Sequence, residues 1–545
     1  MPVLAAILVA ASALAAPPSG PRFLPDDPLR VDPDRLPIAK PAEIDLSNVY
    51  DVIENTLQHR PHGDVPPAVN VNTLGEVPDS SWFTNRIGTR PMTVEEIVRG
   101  ATTVGPPDVA QPLTVIASKS GGITPGFTLR DARGNVYFVK FDPAAHPNLS
   151  TAADVIGSRF FHAFGYHVPQ NDVAYIRREQ LRIDPKARVT VGGKKRPMTE
   201  ADLDRNLARA ARLPDGRIRI VASLRLAGEP LGPFQYRGTR VDDANDVFPH
   251  EHRRELRGLR VFAAWLNHDD SRSLNTQDMY VAGDGGGYVR HHLIDFSSAL
   301  GSGSNAQREI APQNPRAGNE YIVELGPMLR TLFSLGLWER PWRRVQYPEH
   351  PGVGRIEADF FRPDAWRPEY PNPAFERMQD EDAFWAATIV HEFSDDAVRA
   401  VVATGELGDA ESERYLADTV IRRRDKTVAR YFARTNPLAW FGVEGGALRF
   451  RNLGEEAGLG RAQGYDVEWS EFDNATGRHT SLDAPVPGPA SVSVPVSVPV
   501  PDHSAAHLAA RIRTRSSTCP AWSRPVTVYL RRGAGWKIVG IERGP

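Results

Sequence analysis

Residues 265–275 read Trp265-Leu266-Asn267-His268-Asp269-Asp270-Ser271-Arg272-Ser273-Leu274-Asn275, and residues 291–297 read His291-His292-Leu293-Ile294-Asp295-Phe296-Ser297. Between them, 279–282 and 288–294 are rich in β-branched and aromatic residues, and Gly283-Asp284-Gly285-Gly286-Gly287 is a strong turn signal, so the spacing predicts an antiparallel hairpin. With its centre near Gly285, Asn275 and Asp295 stand ten residues to either side and meet at the open end. One amide oxygen and one carboxylate there could hold a divalent cation, since Mg²⁺ takes oxygen ligands and completes its shell with phosphates and waters. The same residues also read as a polar turn before a structural hairpin, with Asp295 capping the segment after it.

Upstream, 113–120 reads as a strand, 121–126 as a loop containing Gly121, Gly122 and Gly126, 127–131 as a second strand, 132–135 as a tight turn and 136–141 as a third strand ending near Lys140. A glycine loop lets backbone N–H groups approach phosphates closely, and a lysine late on the third strand can reach the same phosphates. Taken singly, the loop fits any hairpin and the lysine fits the solvent face of an amphipathic strand. A helix is expected over 151–165, with Thr151 and Asp154 as a capping box and Gly165 as its stop. Asp154 is the one acid on that helix, and His162, set among phenylalanines, reads as a packed and satisfied side chain.

The order strand, glycine loop, strand, strand with lysine, acidic helix, and then His268-Asp269-Asp270 with Asn275 and Asp295-Phe296-Ser297, resembles the protein-kinase-like superfamily. Asp270 and Asn275 have the spacing of H-R-D-x-x-x-x-N, and Asp295-Phe296-Ser297 stands as a variant of D-F-G. The resemblance runs over about residues 113–432. It is nearer to HipA-type toxin kinases, spore-coat kinases and the Golgi casein kinase than to eukaryotic protein kinases. It implies an α+β, bilobal fold with a strand-rich N-lobe and a helical C-lobe. By the same resemblance Gly121, Gly122, Gly126 and Lys140 would contact ATP or another nucleotide. Asp154 would partner the lysine, Asp270 would be the catalytic base, and Asn275 and Asp295 would hold Mg²⁺ or Mn²⁺. The chain departs from the pattern in its irregular glycine loop, in aspartate for glutamate at 154, in Asp269 where arginine would stand, and in Ser297 for glycine.

The 545 residues, 41% hydrophobic and with a net charge of −2, suffice for several buried cores and carry no bias toward nucleic acid or anionic membrane. Residues 1–16 are apolar and end in Ala13-Leu14-Ala15-Ala16, as a signal peptide without a basic start would, so export to the periplasm or medium is expected, with no integral membrane segment. Cys519 is the single cysteine, which excludes an intrachain disulfide and a structural cysteine-zinc site.

Composition divides the rest into a Pro-rich arm (17–104), a strand-rich lobe (105–232) that ends in a hinge at 228–232, a helical lobe (233–436) and a C-terminal β-sandwich (437–545). Helices are expected over 198–212, 253–265, 320–335, 380–393, 395–404 and 409–432. His391-Glu392-Phe393-Ser394-Asp395 lacks the second histidine of H-E-x-x-H and reads as a helix end. The functional expectation is an exported, kinase-like phosphotransferase acting with a metal–nucleotide on an unidentified protein or small-molecule acceptor. The alternatives are a non-catalytic, degenerate kinase-fold binding protein of the cell envelope, and a metal-dependent phosphohydrolase using His268, Asp269, Asp270, Asp295 and one of His291 or His292.

Overall fold

The computed structural model describes residues 20–58, 61, 63–119, 124–191, 194–305, 307–482, 486–488, 496–497 and 506–544. Residues 1–16, Gly121, Gly122 and most of 492–500 lie outside these. The architecture is α+β, with five sheets among the described residues, and no described helix is long and apolar enough to cross a membrane.

The N-terminal arm is less extended than its prolines suggest, because it forms helices α1 (Asn48–Gln58) and α2 (Val94–Arg99). It is also tied to distant parts of the chain. Phe23 packs against Phe472 and Tyr529, Ile38 N donates to Gly287 O (2.8 Å), and Trp82 stacks on His291 with ring centroids 3.5 Å apart.

Next come β1 (Leu113–Ser118), β2 (Gly126–Arg130), β3 (Val136–Lys140), α3 (Leu149–Phe164), β4 (Asn171–Ile176), β5 (Leu181–Val191), β6 (Lys194–Pro197), α4 (Glu200–Leu207) and β7 (Ile218–Leu224). The seven strands make one sheet in the order β4-β7-β3-β2-β1-β5-β6, with β1, β2 and β3 antiparallel in succession. Alternating residues such as Leu113, Val115, Leu129, Tyr137 and Val139 bury one of its faces.

Helix α3 starts two residues before Thr151, and neither Thr151 nor Asp154 caps it. Asp142, just past β3, takes that place by accepting from the N–H groups of Ser150 (2.8 Å) and Thr151 (3.2 Å) and from the Thr151 hydroxyl. An acid outside the helix thus satisfies its open end, which releases Asp154 for another partner.

The 228–232 segment is not a loose hinge, since β8 (Glu229–Pro230) pairs with β9 (Thr276–Gly283), which pairs in turn with β10 (Gly286–Leu293). The β9–β10 turn is only Asp284-Gly285, so the hairpin is centred half a residue before Gly285. Asn275 therefore faces Ile294, whose N–H donates to Asn275 O at 2.9 Å. Asp295 falls two residues beyond the ladder, at φ +60°.

The helical body holds α5 (Arg254–Leu266), α6 (Leu325–Phe333), α7 (Asp380–His391), α8 (Asp395–Ala403) and α9 (Ala410–Phe432). Phe262, Trp265, Phe384, Val398 and Phe432 of this group form one buried cluster with Phe160 and Phe164 of α3. Helix α6 begins five residues later than the periodicity suggests. His391 closes α7 and faces Glu456 at 3.6 Å. Beyond Pro437, a three-stranded and a six-stranded sheet share one core, with Leu438, Leu448 and Phe450 from the first meeting Val467, Leu508, Ile512 and Val528 from the second.

Candidate functional site

The Lys140 ammonium, at the end of β3, lies 2.9 Å from Asp154 Oδ2 on α3 and 2.8 Å from Asp295 Oδ1 past β10. Burial alone would lower its pKa, but the two carboxylates outweigh burial and hold it above the usual lysine range. Burial pushes Asp154 up, with Lys140 opposing and Asp295 adding to the rise. Asp295 is held below the usual carboxylate range, because Lys140 and the hydroxyl of Ser297 outweigh the effect of burial. Its side chain, 37% exposed, keeps a face open to the cleft. A positive φ is uncommon for a non-glycine residue, and here it turns the aspartate out of the strand toward the lysine.

On the opposite side, α5 ends at Asn267, which has φ +50° and is anchored by Trp366 Nε1 (3.0 Å) and Gln313 Oε1 (2.8 Å). The chain then turns through Asp269 and Asp270. Asn275 Nδ2 donates to both the backbone oxygen and Oδ2 of Asp270, at 2.8 Å each, so its Oδ1 is the atom left to meet a ligand. Arg272 Nε is 2.6 Å from Asp270 Oδ1, an ion-pair contact without hydrogen-bond alignment. Burial, with Glu369 adding and Arg272 opposing, pushes the Asp270 carboxyl up to about 7. Asp269 is raised well above the usual carboxylate range, first by burial and then by Asp270, and its Oδ1 accepts from Gln313 Nε2 at 2.6 Å.

These two sides enclose a cleft of about 730 Å³, lined among others by Lys119, Asp270, Arg272, Asn275, Asp295 and Gln313. Such a volume suits a nucleotide-sized ligand. Of the residues singled out in the sequence, Asp270, Asn275 and Asp295 line the cleft, and Lys140 and Asp154 are joined to it through the Lys140–Asp295 pair. Gly121 and Gly122 are outside the described residues. Gly126 belongs to β2 and not to a phosphate loop: a Cβ there would stand 2.0 Å from Val139 O, so the glycine is explained by cross-strand approach.

The sequence reading missed Lys119, which follows β1 and donates to Thr124 O (2.9 Å). Burial and the nearby Lys140 lower its pKa to about 8. It also missed Arg272, Gln313 and Glu369; of these only Arg272, two residues after Asp270, carried a local signal. His162 is packed but not satisfied, as its buried Nδ1 has no hydrogen-bond partner.

The histidines of the metallohydrolase alternative are committed elsewhere. His291 Nδ1 pairs with Asp278 (2.7 Å), His292 Nδ1 meets Arg290 O (3.2 Å), and His268 packs beside the stacked Phe161 and Phe296 rings with its Nδ1 3.3 Å from Ser298 Oγ. Among the described residues no group of three or more His, Cys, Asp or Glu is arranged to hold a metal by itself. Compared with protein-family models, curated proteins and solved structures, the chain matches none of them.

Proposed function

We propose that the chain is an atypical, kinase-like phosphotransferase whose strand-rich and helical lobes, 105–232 and 233–436, close on a nucleotide held with Mg²⁺ or Mn²⁺. The observation that carries this reading is Lys140 held between Asp154 and Asp295, two carboxylates from separate segments of the chain converging on one ammonium. The donor set fits such a group. One open carboxylate and one amide oxygen are too few for an all-protein metal cage, but they suit a cation whose remaining ligands are phosphates and water.

When bound, the metal–nucleotide supplies the transferable phosphoryl group and neutralises its charge. Asp295 and Asn275 Oδ1 would hold the metal, while Lys140 and Lys119 attract the phosphates. Asp270, which lines the cleft and whose carboxyl is raised to about 7, accepts the proton of the acceptor hydroxyl. Asn275 and Arg272 fix its orientation.

A second reading, a non-catalytic nucleotide binder, draws on the direct Lys140–Asp295 pair, which engages the carboxylate that a metal would take. Thermal-shift titration with ATP, with and without Mg²⁺, tests both. A ligand at a hundred times its Kd adds ~2.7 kcal/mol of stability. Metal-dependent stabilisation that Asp295→Ala abolishes, with the circular-dichroism spectrum unchanged, supports the phosphotransferase. Stabilisation indifferent to metal supports the binder, and no response to any nucleotide rejects both.

A further inference from the structure

The chain between the cleft and α7 exposes apolar side chains that elsewhere would form a core. Helix α6 carries Leu325, Met328, Leu329, Leu332 and Phe333 at the i, i+3, i+4, i+7, i+8 positions of one helical face. Yet no residue of α6 is buried, and Leu332 and Phe333 are 66% and 80% exposed. The patch continues past both ends of the helix, with Ile322 and Val323 exposed before it and Leu335 and Leu337, at 90% and 89%, after it. A soluble surface rarely leaves so large a contiguous apolar patch uncovered without using it.

The residues just after the patch indicate which partner covers it. Residues 338–344 contain Trp338, Trp342, Arg340, Arg343 and Arg344 against a single acid, Glu339. The guanidinium of Arg330 lies over Trp338 at 5.9 Å, and those of Arg340 and Arg343 lie over Trp342 at 5.9 and 5.7 Å. An apolar stripe bordered by tryptophan and arginine matches the profile of a bilayer interface, with Leu and Phe in the acyl boundary, the Trp338 indole at the headgroups and the Arg343 guanidinium on phosphate. Trp342 Nε1 is buried, and Arg340 and Arg344 pair with Glu320 and Glu339. A protein partner is a poorer fit, because a nine-residue helix, about 14 Å long, offers well under the roughly 800 Å² per side of a stable interface. The helix is also far short of the roughly 20 residues needed to span a bilayer, so it would lie in the interface plane.

We propose that residues 322–344 form a membrane-docking segment that seats in one leaflet of an anionic bilayer. Glu320, which pairs with Arg340, also lines the cleft, so docking sets the cleft beside the lipid surface. The test is co-sedimentation of the full chain with phosphatidylcholine vesicles, with and without phosphatidylglycerol. Binding is expected to the mixed vesicles and to weaken in high salt. Leu332→Glu/Phe333→Glu should lower affinity at least roughly a hundredfold. Arg343→Gln and Arg344→Gln should each lower it roughly fivefold on anionic vesicles and little on neutral ones. These side chains are exposed, so an unchanged melting midpoint is the check that each variant folds. The proposal is overturned if the wild type ignores anionic vesicles or if the Leu332→Glu/Phe333→Glu variant binds them equally. It is also overturned if the wild type self-associates without binding lipid and that variant restores monomers, which would assign the face to a second copy.

Discussion

Asp154 Oδ1 on helix α3 accepts the backbone N–H of Phe296 at 3.0 Å, while Oδ2 of the same carboxylate accepts the Lys140 ammonium at 2.9 Å. One buried side chain therefore sets both the lysine and the Asp295-Phe296-Ser297 turn. Asn171 Nδ2 donates to the same Oδ1 at 3.0 Å and fixes the carboxylate in turn. The helix also approaches Phe296 so closely that a Cβ on Gly157 would stand 2.6 Å from the Phe296 Cβ. The position of α3 and the position of Asp295 are thus one variable.

Asp154→Ala should accordingly be costly in two ways. Removing one partner of a buried charge typically costs ~3–5 kcal/mol, and the Phe296 N–H loses its acceptor as well. Gly157→Ala leaves every charge in place but forces α3 and Phe296 apart, an overpacking cost of ~1–3 kcal/mol. Urea denaturation should rank both below wild type, and metal-dependent nucleotide affinity should fall in both. Wild-type affinity in Gly157→Ala would show that the turn does not depend on the helix.

Lys119 gives the cleft a pH dependence. With a pKa lowered to about 8 by burial and by Lys140, its ammonium is charged near neutrality and loses its proton as pH rises through that value. Lys140 is shifted the other way and keeps its charge. Affinity for an anionic ligand should therefore fall between about pH 7 and about pH 9, and Lys119→Arg, whose guanidinium stays protonated, should flatten the curve. Titration calorimetry with Mg²⁺–ATP across that range reads it directly. An identical slope in wild type and Lys119→Arg would remove Lys119 from the phosphate site.

Much of this site was legible because it is local. Asp270 and Asn275 are joined by a bond within a five-residue turn, and the glycine-rich turn at 283–287 fixes the hairpin that carries Asn275 toward Asp295. The role of Asp154 was obscured by a local pattern that competed with the correct one. Thr151 and Asp154 have capping-box spacing, but Asp142 from the preceding loop caps α3, which only the folded loop could reveal. Gln313 and Glu369 reach the cleft from irregular segments with no periodicity to place them. The exposed face of α6 could not be anticipated either, since an amphipathic stripe reads identically whether it meets a core or a lipid surface.

Three buried histidines should make the fold acid-sensitive. Burial lowers His162 to about 3 and His268 and His292 to about 4, against the 6.5 of an exposed imidazole. Their folded-state pKa values lie below the unfolded ones, so their contribution is intact above about pH 6.5 and is lost as pH falls toward 4. Across that window these three imidazoles contribute up to ~4 kcal/mol per pH unit, opposed by the raised carboxyls of Asp269 and Asp270, which take their protons first in the folded state. Equilibrium unfolding measured from about pH 7 to about pH 5 should show this loss. His162→Phe, which replaces an imidazole with an unpartnered Nδ1, should reduce the slope by up to ~1.4 kcal/mol per pH unit. A slope unaffected by His162→Phe would mean that the ring is already protonated in the folded state.

Two adjacent aspartates compete for the role of base, and their surroundings distinguish them. Asp270 lines the cleft; its Oδ2 accepts from Asn275, while its Oδ1 is buried against Arg272 Nε at 2.6 Å without hydrogen-bond alignment. Asp269 Oδ1 is already bound by Gln313 at 2.6 Å, and its backbone oxygen receives the N–H of Glu369 at 2.8 Å, as suits a side chain that braces the loop. Asp270→Asn keeps the shape and most of the bonding but cannot take a proton. Nucleotide affinity should stay near wild type while phosphoryl transfer falls by at least roughly 10²-fold. Asp269→Asn, whose Oδ1 can still accept from Gln313 Nε2, should instead leave stability and transfer close to wild type. Single-turnover transfer and calorimetric nucleotide binding, measured on both variants, separate the two roles. If Asp269→Asn abolishes transfer and Asp270→Asn spares it, the base is Asp269. If both variants bind nucleotide as wild type does and neither alters transfer, the cleft is a binding site and Asp270 is part of its scaffold.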